Sequence, residues 1–217
     1  MIKAVIFDLD GLILDTEKLL VKFWCQAANE AGFPMQTEHA LHIRSLGRKF
    51  AIPYLSEVFG PEFDYINIRS RRMELMAEHI HEHGLEKKPG LEELLNFLQK
   101  NRIPAAVATA TDKLRAEKYL QQTGLLHYFS SVICAAMVEN GKPKPDIYLF
   151  AASRLGLKPQ ECMALEDSPN GVRAASSAGC VTVMIPDLTE PDDEVIPLIY
   201  TSVKSLADVP AIIKKLS

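Results

Sequence analysis

The chain has 217 residues, of which 47% are hydrophobic and 24% are charged, so it can bury a core and has room for one domain plus a smaller companion. Its 24 Lys and Arg residues against 28 Asp and Glu residues give a formal net charge of -4, which argues against a nucleic-acid partner. The apolar run at the N-terminus stops at Asp8, too early for a signal peptide or a membrane span. These features predict a cytoplasmic globular protein with no membrane partner.

The predicted elements alternate between short strands and longer helices. Runs rich in Val, Ile and Ala predict strands at 4–7, 105–108, 131–134, 163–165 and 181–185. Helical periodicity lies between them at 91–101, 114–123, 147–155 and 172–178. This alternation is typical of βαβ units whose sheet is covered on both faces. The predicted fold class is therefore α/β, with a doubly wound, Rossmann-like parallel sheet.

One region breaks the alternation. Between about residues 16 and 85 no strand is predicted and helical periodicity dominates. Gly84 and the pair Pro89-Gly90 mark its far end. The sequence predicts an α/β core, residues 1–15 and 86–217, with an all-helical cap, residues 16–85, inserted after the first strand.

Several side chains that invite a functional interpretation are interpreted as structural. His79, His81 and His83 precede Gly84, which favours a helix C-terminus over a metal site. The cysteines stand far apart with no CxxC spacing, which favours buried reduced thiols over zinc ligands or disulfides. They are Cys25, Cys134, Cys162 and Cys180. The cap arginines Arg44, Arg48, Arg71 and Arg72 are expected to be mostly solvated.

Chemically active side chains follow four of the predicted strands. In chain order they are Asp8-Leu9-Asp10-Gly11, Thr109-Ala110-Thr111, Gly141-Lys142-Pro143 and Glu166-Asp167-Ser168. The carboxyl ends of parallel strands meet at one edge of the sheet, where doubly wound folds bind ligands. We therefore expect these residues to converge on one site.

Two carboxylates separated by one residue suit phosphoryl transfer. Asp8 can attack phosphorus and form an acyl phosphate, which splits one difficult displacement into two easier ones. Asp10 can protonate the leaving oxygen and later take the proton of the attacking water. Gly11 lets the chain turn away without crowding the phosphate. The pair is thus predicted to be a nucleophile and its acid/base partner.

Carboxylates that face a phosphate need cations beside them. Asp8, Glu166 and Asp167 offer the oxygen ligands that Mg²⁺ prefers. Lys142 supplies further positive charge, and the Thr109 hydroxyl can donate a hydrogen bond to a phosphoryl oxygen. Mg²⁺ is therefore the predicted cofactor.

Four motifs resemble those of the haloacid dehalogenase-like superfamily, in the group with β-phosphoglucomutase and many small-metabolite phosphatases. They are FDLDGLILDT at 7–16, VATAT at 107–111, GKPKPDIY at 141–148 and LEDSPNG at 165–171. Their presence in this order is specific, and the resemblance covers nearly the whole chain. It implies a helical cap of the C1 type.

The resemblance also implies a role for each motif residue. The implied catalytic residues are Asp8, Asp10, Thr109 and Lys142, of which Thr109 and Lys142 would hold phosphate. The implied metal ligands are Asp8, Asp10 through its carbonyl, Glu166 and Asp167. Glu166 is a ligand in some members and lies behind the ligands in others.

Four further positions are expected to contact the substrate. They are Gly11, Glu17, Arg48 and Ala110. Arg48 belongs to the segment 46–49, which resembles the cap loop that meets the core site in relatives.

The expected function is Mg²⁺-dependent hydrolysis of a small phosphorylated metabolite, a sugar phosphate or similar monoester, by a monomeric enzyme. The alternative is a hexose-phosphate mutase of the β-phosphoglucomutase type. Those mutases carry a cap histidine four residues after the threonine that corresponds to Thr16, where this chain has Leu20. A dehalogenase is disfavoured because halide departure needs neither Asp10 nor a metal cluster. A module that binds phosphate without turnover is disfavoured because every catalytic side chain is present.

Overall fold

The computed structural model describes residues 1–216, and its centre is a single six-stranded sheet. The strands are β1 (Ala4–Phe7), β2 (Ala105–Thr109), β3 (Phe129–Cys134), β4 (Cys162–Glu166), β5 (Val181–Met184) and β6 (Thr201–Ser202). Their order is β3-β2-β1-β4-β5-β6, and every neighbouring pair is parallel. The five predicted strands are confirmed, and the doubly wound order places β1 and β4 side by side at the centre.

The two faces of the sheet build two separate hydrophobic cores because successive strand residues point to opposite sides. Val5 and Phe7 of β1 join one core, and Ala4 and Ile6 join the other. The first core is covered by α5 (Leu91–Lys100), α6 (Lys113–Gln122) and α9 (Val209–Leu216). The second is covered by α7 (Asp146–Arg154) and α8 (Pro169–Ser177). Covering on both faces explains why the strands read as continuous apolar runs.

Four helices lie between β1 and α5. They are α1 (Glu17–Glu30), α2 (Thr37–His42), α3 (Arg48–Phe59) and α4 (Tyr65–His83). Helices α1 and α4 pack against each other, with the rings of Trp24 and Tyr65 5.5 Å apart. The described chain between β1 and β2 contains no strand, in agreement with an all-helical region. The domain limits at 1–15, 16–85 and 86–217 stay predictions.

The loop between α2 and α3 lies against the carboxyl edge of the sheet. The Gly47 N–H donates to the Lys142 carbonyl at 2.8 Å. The Asn170 amide donates to the carbonyls of His42 and Arg44 at 3.3 and 3.0 Å. A Cβ at Gly47 would lie 3.1 Å from the Gly141 Cα, so a residue without a side chain fits this close approach. The helical region therefore closes over the edge where the strand-end motifs lie.

The helix end predicted at the histidines is confirmed, and three of the four cysteines are buried as predicted. Helix α4 ends at His83, and Gly84 follows with φ +79° and donates its N–H to the Ile80 carbonyl. All four cysteines are free thiols, of which Cys25 is partly exposed and the other three are buried. None of the helices in residues 1–216 combines the length and apolar character needed to cross a bilayer.

Candidate active site

The candidate site lies where the direction of winding reverses. Strands β2 and β3 lie on one side of β1, and β4, β5 and β6 lie on the other. Chain connections diverge at such a point and leave a crevice beyond the carboxyl ends of the two central strands. Asp8 directly follows β1, and Asp167 directly follows β4. Sheet topology alone therefore brings together two acids that are far apart in sequence.

Three carboxylates form a buried cluster at this crevice. Asp8, Glu166 and Asp167 place ligand oxygens within 4.8 Å of one another, and none of the three residues is more than 2% exposed. Burial raises the pKa of Asp8 to about 7, although the Lys142 charge opposes this effect. A cation beside these acids favours their charged forms.

Lys142 supplies one such cation. It lies in the loop between β3 and α7, is 1% exposed, and donates hydrogen bonds to Asp8 and, at 2.5 Å, to Glu166. Burial lowers the pKa of Lys142, but the charges of Asp8 and Glu166 outweigh burial and raise it above its ordinary value. Lys142 is therefore a fixed ammonium beside Asp8.

Glu166 is surrounded by donors. It accepts from Lys142, from the Tyr148 hydroxyl at 2.5 Å and from the Ser168 hydroxyl at 3.3 Å. Burial, reinforced by the Glu166 charge, raises the pKa of Tyr148 well above its ordinary value, so the phenol remains a donor. This arrangement anchors Glu166 and, through it, Lys142.

The surroundings of Asp167 differ from those of Glu166. Neither of its carboxylate oxygens has a hydrogen-bond partner among the described residues, although the side chain is fully buried. The nearest cation on this side, Arg44, is 3.9 Å away at its Nη1. Burial raises the pKa of Asp167 well above its ordinary value despite Arg44, and the charges of Asp8 and Glu166 raise it further. Buried oxygens without partners, beside another carboxylate, are a donor set that fits Mg²⁺.

Gly11 makes the approach of the first loop to Asp167 feasible. Its φ is +85°, and a Cβ there would overlap the Asp167 carboxylate and lie 2.7 Å from the Glu17 Cγ. The left-handed conformation and the lack of space both favour glycine. The predicted turn at Gly11 is present, whereas its contact with the substrate stays a prediction.

Asp10 is oriented by hydroxyl groups from both sides. The Thr16 hydroxyl donates to its Oδ1 at 2.6 Å, and the Thr111 hydroxyl donates to its Oδ2 at 2.7 Å. Thr111 in turn accepts from the Arg115 guanidinium at 3.2 Å. The Thr109 hydroxyl oxygen accepts the backbone N–H of Thr111 at 3.0 Å and keeps its own proton to donate. Asp10 is thus held in one orientation next to Asp8.

A central cavity of about 90 Å³ lies between the helical region and the sheet edge. Asp8 and Asp10 line it from the core, together with the expected substrate residues Glu17 and Ala110. Burial raises the pKa of Glu17 well above its ordinary value, and the charges of Asp167 and Asp10 raise it further. Arg48 lies outside this cavity, exposed on an adjoining cleft of about 340 Å³.

The expectation that the cap arginines are mostly solvated is wrong for two of them. Arg44 and Arg72 are 4% and 3% exposed, whereas Arg48 is exposed and Arg71 is partly exposed. Arg44 donates to the Asp167 carbonyl at 3.3 Å and to the Thr189 hydroxyl at 2.6 Å. Long charged side chains can bury their stems on apolar surface, and charge alone does not reveal that.

Sequence reasoning gave several other site residues no individual role. They are Thr16, Arg69, Arg72, Thr111, Arg115 and Tyr148. A signal for Arg72 was present, because it stands at helical spacing between Ile68 and Met76 on the buried face of α4.

Gly171 provides a stability test of the Glu166 environment. A Cβ at this helical position would overlap the Glu166 carboxylate, which Lys142, Tyr148 and Ser168 hold in place. Glycine to alanine inside a helix ordinarily stabilises, but Gly171→Ala is expected to lower the free energy of unfolding by about 1–3 kcal/mol through overpacking. Urea unfolding measures this change in the free energy of unfolding. The control Ser177→Ala, on the exposed side of the same helix, should change the free energy of unfolding by no more than about 0.5 kcal/mol. An equal loss of stability in both variants would contradict the close contact between position 171 and Glu166.

Comparison with known proteins gives a consistent answer. Residues 2–179 match the family described as haloacid dehalogenase-like hydrolase. A phosphorylated carbohydrates phosphatase of Thermotoga maritima is 34% identical over 177 residues, which cover 82% of this chain and 82% of that protein. A probable pseudouridine-5'-phosphatase of Drosophila melanogaster is 35% identical over 193 residues, covering 84% of this chain and 80% of that protein.

The fold has close counterparts among solved structures. The crystal structure of a β-phosphoglucomutase from Clostridium difficile is similar with a TM-score of 0.84 and 25% identity, covering 99% of this chain and 97% of that one. The family match spans all four motifs and both central strands. The chain therefore belongs to the haloacid dehalogenase-like hydrolases.

Proposed function

We propose that the protein is a Mg²⁺-dependent phosphatase that hydrolyses a small phosphorylated metabolite, a sugar phosphate or similar monoester, through an aspartyl phosphate. The observation that carries this proposal is that Asp8 and Asp10 line the same cavity and that Lys142 donates a hydrogen bond to Asp8. The similarity to a phosphorylated carbohydrates phosphatase supports the substrate class. We also propose that the enzyme is a monomer and that it is cytoplasmic.

Each step of the reaction has a side chain for it. An Asp8 oxygen attacks phosphorus, and the bond from phosphorus to the leaving oxygen breaks as Asp10 gives that oxygen a proton. Water then attacks the phosphorus of the aspartyl phosphate while Asp10 takes its proton, which releases phosphate, frees the Asp8 carboxylate and leaves Asp10 protonated for the next turnover. Lys142 and the Thr109 hydroxyl stabilise the negative charge on the phosphoryl oxygens.

The buried acids would hold the metal. Asp8 and Asp167 would provide carboxylate ligands, and Asp10 would contribute its carbonyl. Glu166 is within the same cluster, but its contacts with Lys142, Tyr148 and Ser168 favour a supporting role. When bound, Mg²⁺ supplies positive charge that offsets the repulsion between carboxylates and phosphate.

Turnover tests the proposal directly. Purified protein is assayed with p-nitrophenyl phosphate and a panel of sugar phosphates, with Mg²⁺ and after its removal by chelation. Release of inorganic phosphate that requires Mg²⁺ is the expected result. If no ester is turned over in a metal-dependent way, the proposed function is wrong.

Metal binding should also be visible in stability. At about 100 times its Kd, a ligand that binds only the folded state stabilises by about 2.7 kcal/mol, which corresponds to a rise in Tm of roughly 5–10 °C for a chain of this size. Mg²⁺ is expected to produce a rise of this order in the wild-type protein. Asp167→Asn removes one carboxylate charge from the cluster, so this variant should lose the rise without losing metal-free stability. Asp15→Asn, whose carboxylate pairs with Lys18 at 2.5 Å, is the control that should keep it. The same rise in Asp167→Asn would argue against this metal site.

The similarity to a β-phosphoglucomutase structure favours the mutase alternative. Leu20 lines the central cavity and offers no group that can transfer a proton. With β-glucose 1-phosphate the phosphatase should release inorganic phosphate. Net glucose 6-phosphate without inorganic phosphate would support the mutase instead.

A further inference from the structure

Four arginines line the central cavity; Arg44 lies beside Asp167, and the other three form a separate group. Arg69 and Arg72 come from α4, and Arg115 comes from α6. We call them the arginine cluster. The catalytic steps described above use none of them.

Arg72 is the most deeply buried member of the cluster. It is 3% exposed, its Nε has no hydrogen-bond partner among residues 1–216, and its Nη1 contacts only the weak acceptor Met76 Sδ at 3.7 Å. The guanidinium lies 5.4 Å from the Trp24 ring centre. Burial and the charges of Arg115 and Arg69 lower the pKa of Arg72 to about 9. A buried guanidinium with so few acceptors carries a desolvation cost that an anion would offset.

Arg115 connects the cluster to the reacting end of the cavity. Its Nη2 donates to the Thr111 hydroxyl, which donates to Asp10. Its Nη1 is buried and has no partner in the described part of the chain. Arg69, with 20% of its side chain exposed, contacts Met73 Sδ at 3.0 Å. Unused N–H donors therefore lie near the position where Asp10 would meet the leaving oxygen.

The cluster is short of negative charge. Within residues 1–216, Asp112 is the one carboxylate within 4.0 Å of these guanidinium groups, at 3.8 Å from Arg69 and 3.5 Å from Arg115. That carboxylate is 43% exposed, and Arg72 has none within this distance. Three guanidinium groups thus share one carboxylate within 4.0 Å, while Asp8, Asp10 and Glu17 line the same cavity at longer distances. Guanidinium groups match carboxylate and phosphate oxygens in geometry as well as in charge.

We propose that the arginine cluster binds a second anionic group of the substrate, so that the preferred substrate is a phosphomonoester with a carboxylate or a second phosphate away from the ester that is cleaved. This inference rests on the proposed function and narrows its substrate class. The competing explanation is that Arg72 only packs on Trp24 and stabilises the helical region.

Matched substrate pairs test the inference in the wild-type protein. Fructose 1,6-bisphosphate is compared with fructose 6-phosphate, and 3-phosphoglycerate with glycerol 3-phosphate, each with Mg²⁺. For at least one pair, kcat/KM is expected to be about 10-fold or more higher for the member with the second anion, mainly through KM. The pair that shows the preference identifies whether the anion is a phosphate or a carboxylate.

Substitutions of the three arginines test whether the arginine cluster causes this substrate preference. Arg72→Gln, Arg115→Gln and Arg69→Gln should each reduce the ratio of kcat/KM within the preferred pair by about 5-fold or more, and Arg69→Gln offers a variant at a less buried position. Arg71→Gln is the control, because Arg71 pairs with Glu30 and Glu74 outside the cavity and should leave the ratio unchanged.

The outcomes separate the two proposals. Metal-dependent turnover with equal kcat/KM within both pairs, or a preference that survives all three cluster variants, would overturn this inference and leave the phosphatase intact. Absence of turnover with every ester would instead overturn the proposed function.

Discussion

Asp8→Asn is expected to abolish phosphatase activity, with kcat lower by roughly 10⁴-fold or more, because an amide cannot form the aspartyl phosphate. The substitution preserves the shape of the side chain and an oxygen that can accept from Lys142. Glu166 still neutralises the Lys142 ammonium. The variant should therefore fold, which thermal unfolding checks beside the steady-state assay.

The control for Asp8→Asn is Asp15→Asn in the same segment after β1. Asp15 forms ion pairs with Lys18 and Lys88 and does not line the central cavity. This control should keep the wild-type kcat. If Asp8→Asn keeps activity within tenfold of wild type in a folded protein, another group is the nucleophile.

Asp10→Asn is expected to lower kcat for a sugar phosphate by about 10²–10⁴-fold, the usual contribution of general acid–base catalysis. The Thr16 and Thr111 hydroxyls that hold Asp10 can accept as well as donate, so the asparagine keeps its position. Protonation matters most for a poor leaving group. The loss should consequently be smaller with p-nitrophenyl phosphate, whose leaving group departs without a proton.

The ratio of the two losses is the informative measurement for Asp10. Equal losses with both esters would indicate that Asp10 acts only in the second step or in positioning. If Asp10→Asn left the activity unchanged with both esters, Asp10 would have no part in the catalytic steps. Such a result would instead support a site that binds phosphate without turnover.

Most of the core could be predicted from the sequence because strand and helix periodicities differ and the chain alternates between them. Strand β6 was missed, since Thr201 and Ser202 are too few residues to show any period. Their pairing with Val183 and Met184 depends on where the chain returns to the sheet, which is a tertiary property.

The acids of the candidate site were found among the residues that directly follow the predicted strands, and the sheet topology explains why this search succeeded. β1 and β4 are neighbours, so Asp8, Glu166 and Asp167 meet without any other information. The roles assigned to them stay predictions. The different surroundings of Glu166 and Asp167 could not be predicted from a dipeptide, because they depend on where Tyr148 and Gly11 lie in space.

The buried arginines escaped sequence reasoning for a related reason. Sequence patterns report which face of a helix is apolar, and the default for arginine is solvent. Arg72 departs from the default because it packs against Trp24 and Met76. Arg44 does so because it donates to the Asp167 carbonyl and to the Thr189 hydroxyl. Such positions are candidates for function because they break a local rule.

Because β1 is a central strand, it can enter the sheet only after strands that are synthesised much later. The strand that precedes Asp8 is synthesised before both of its neighbours in the sheet, since Val5 pairs with Ala105 on one side and with Met163 on the other. Closing such long loops is slow compared with forming neighbouring helices, so α1 to α4 can associate while β1 still lacks both partners. A nascent chain would therefore carry a formed helical region before Asp8 meets Asp167, and it would gain the candidate metal site only when β4 joins the sheet.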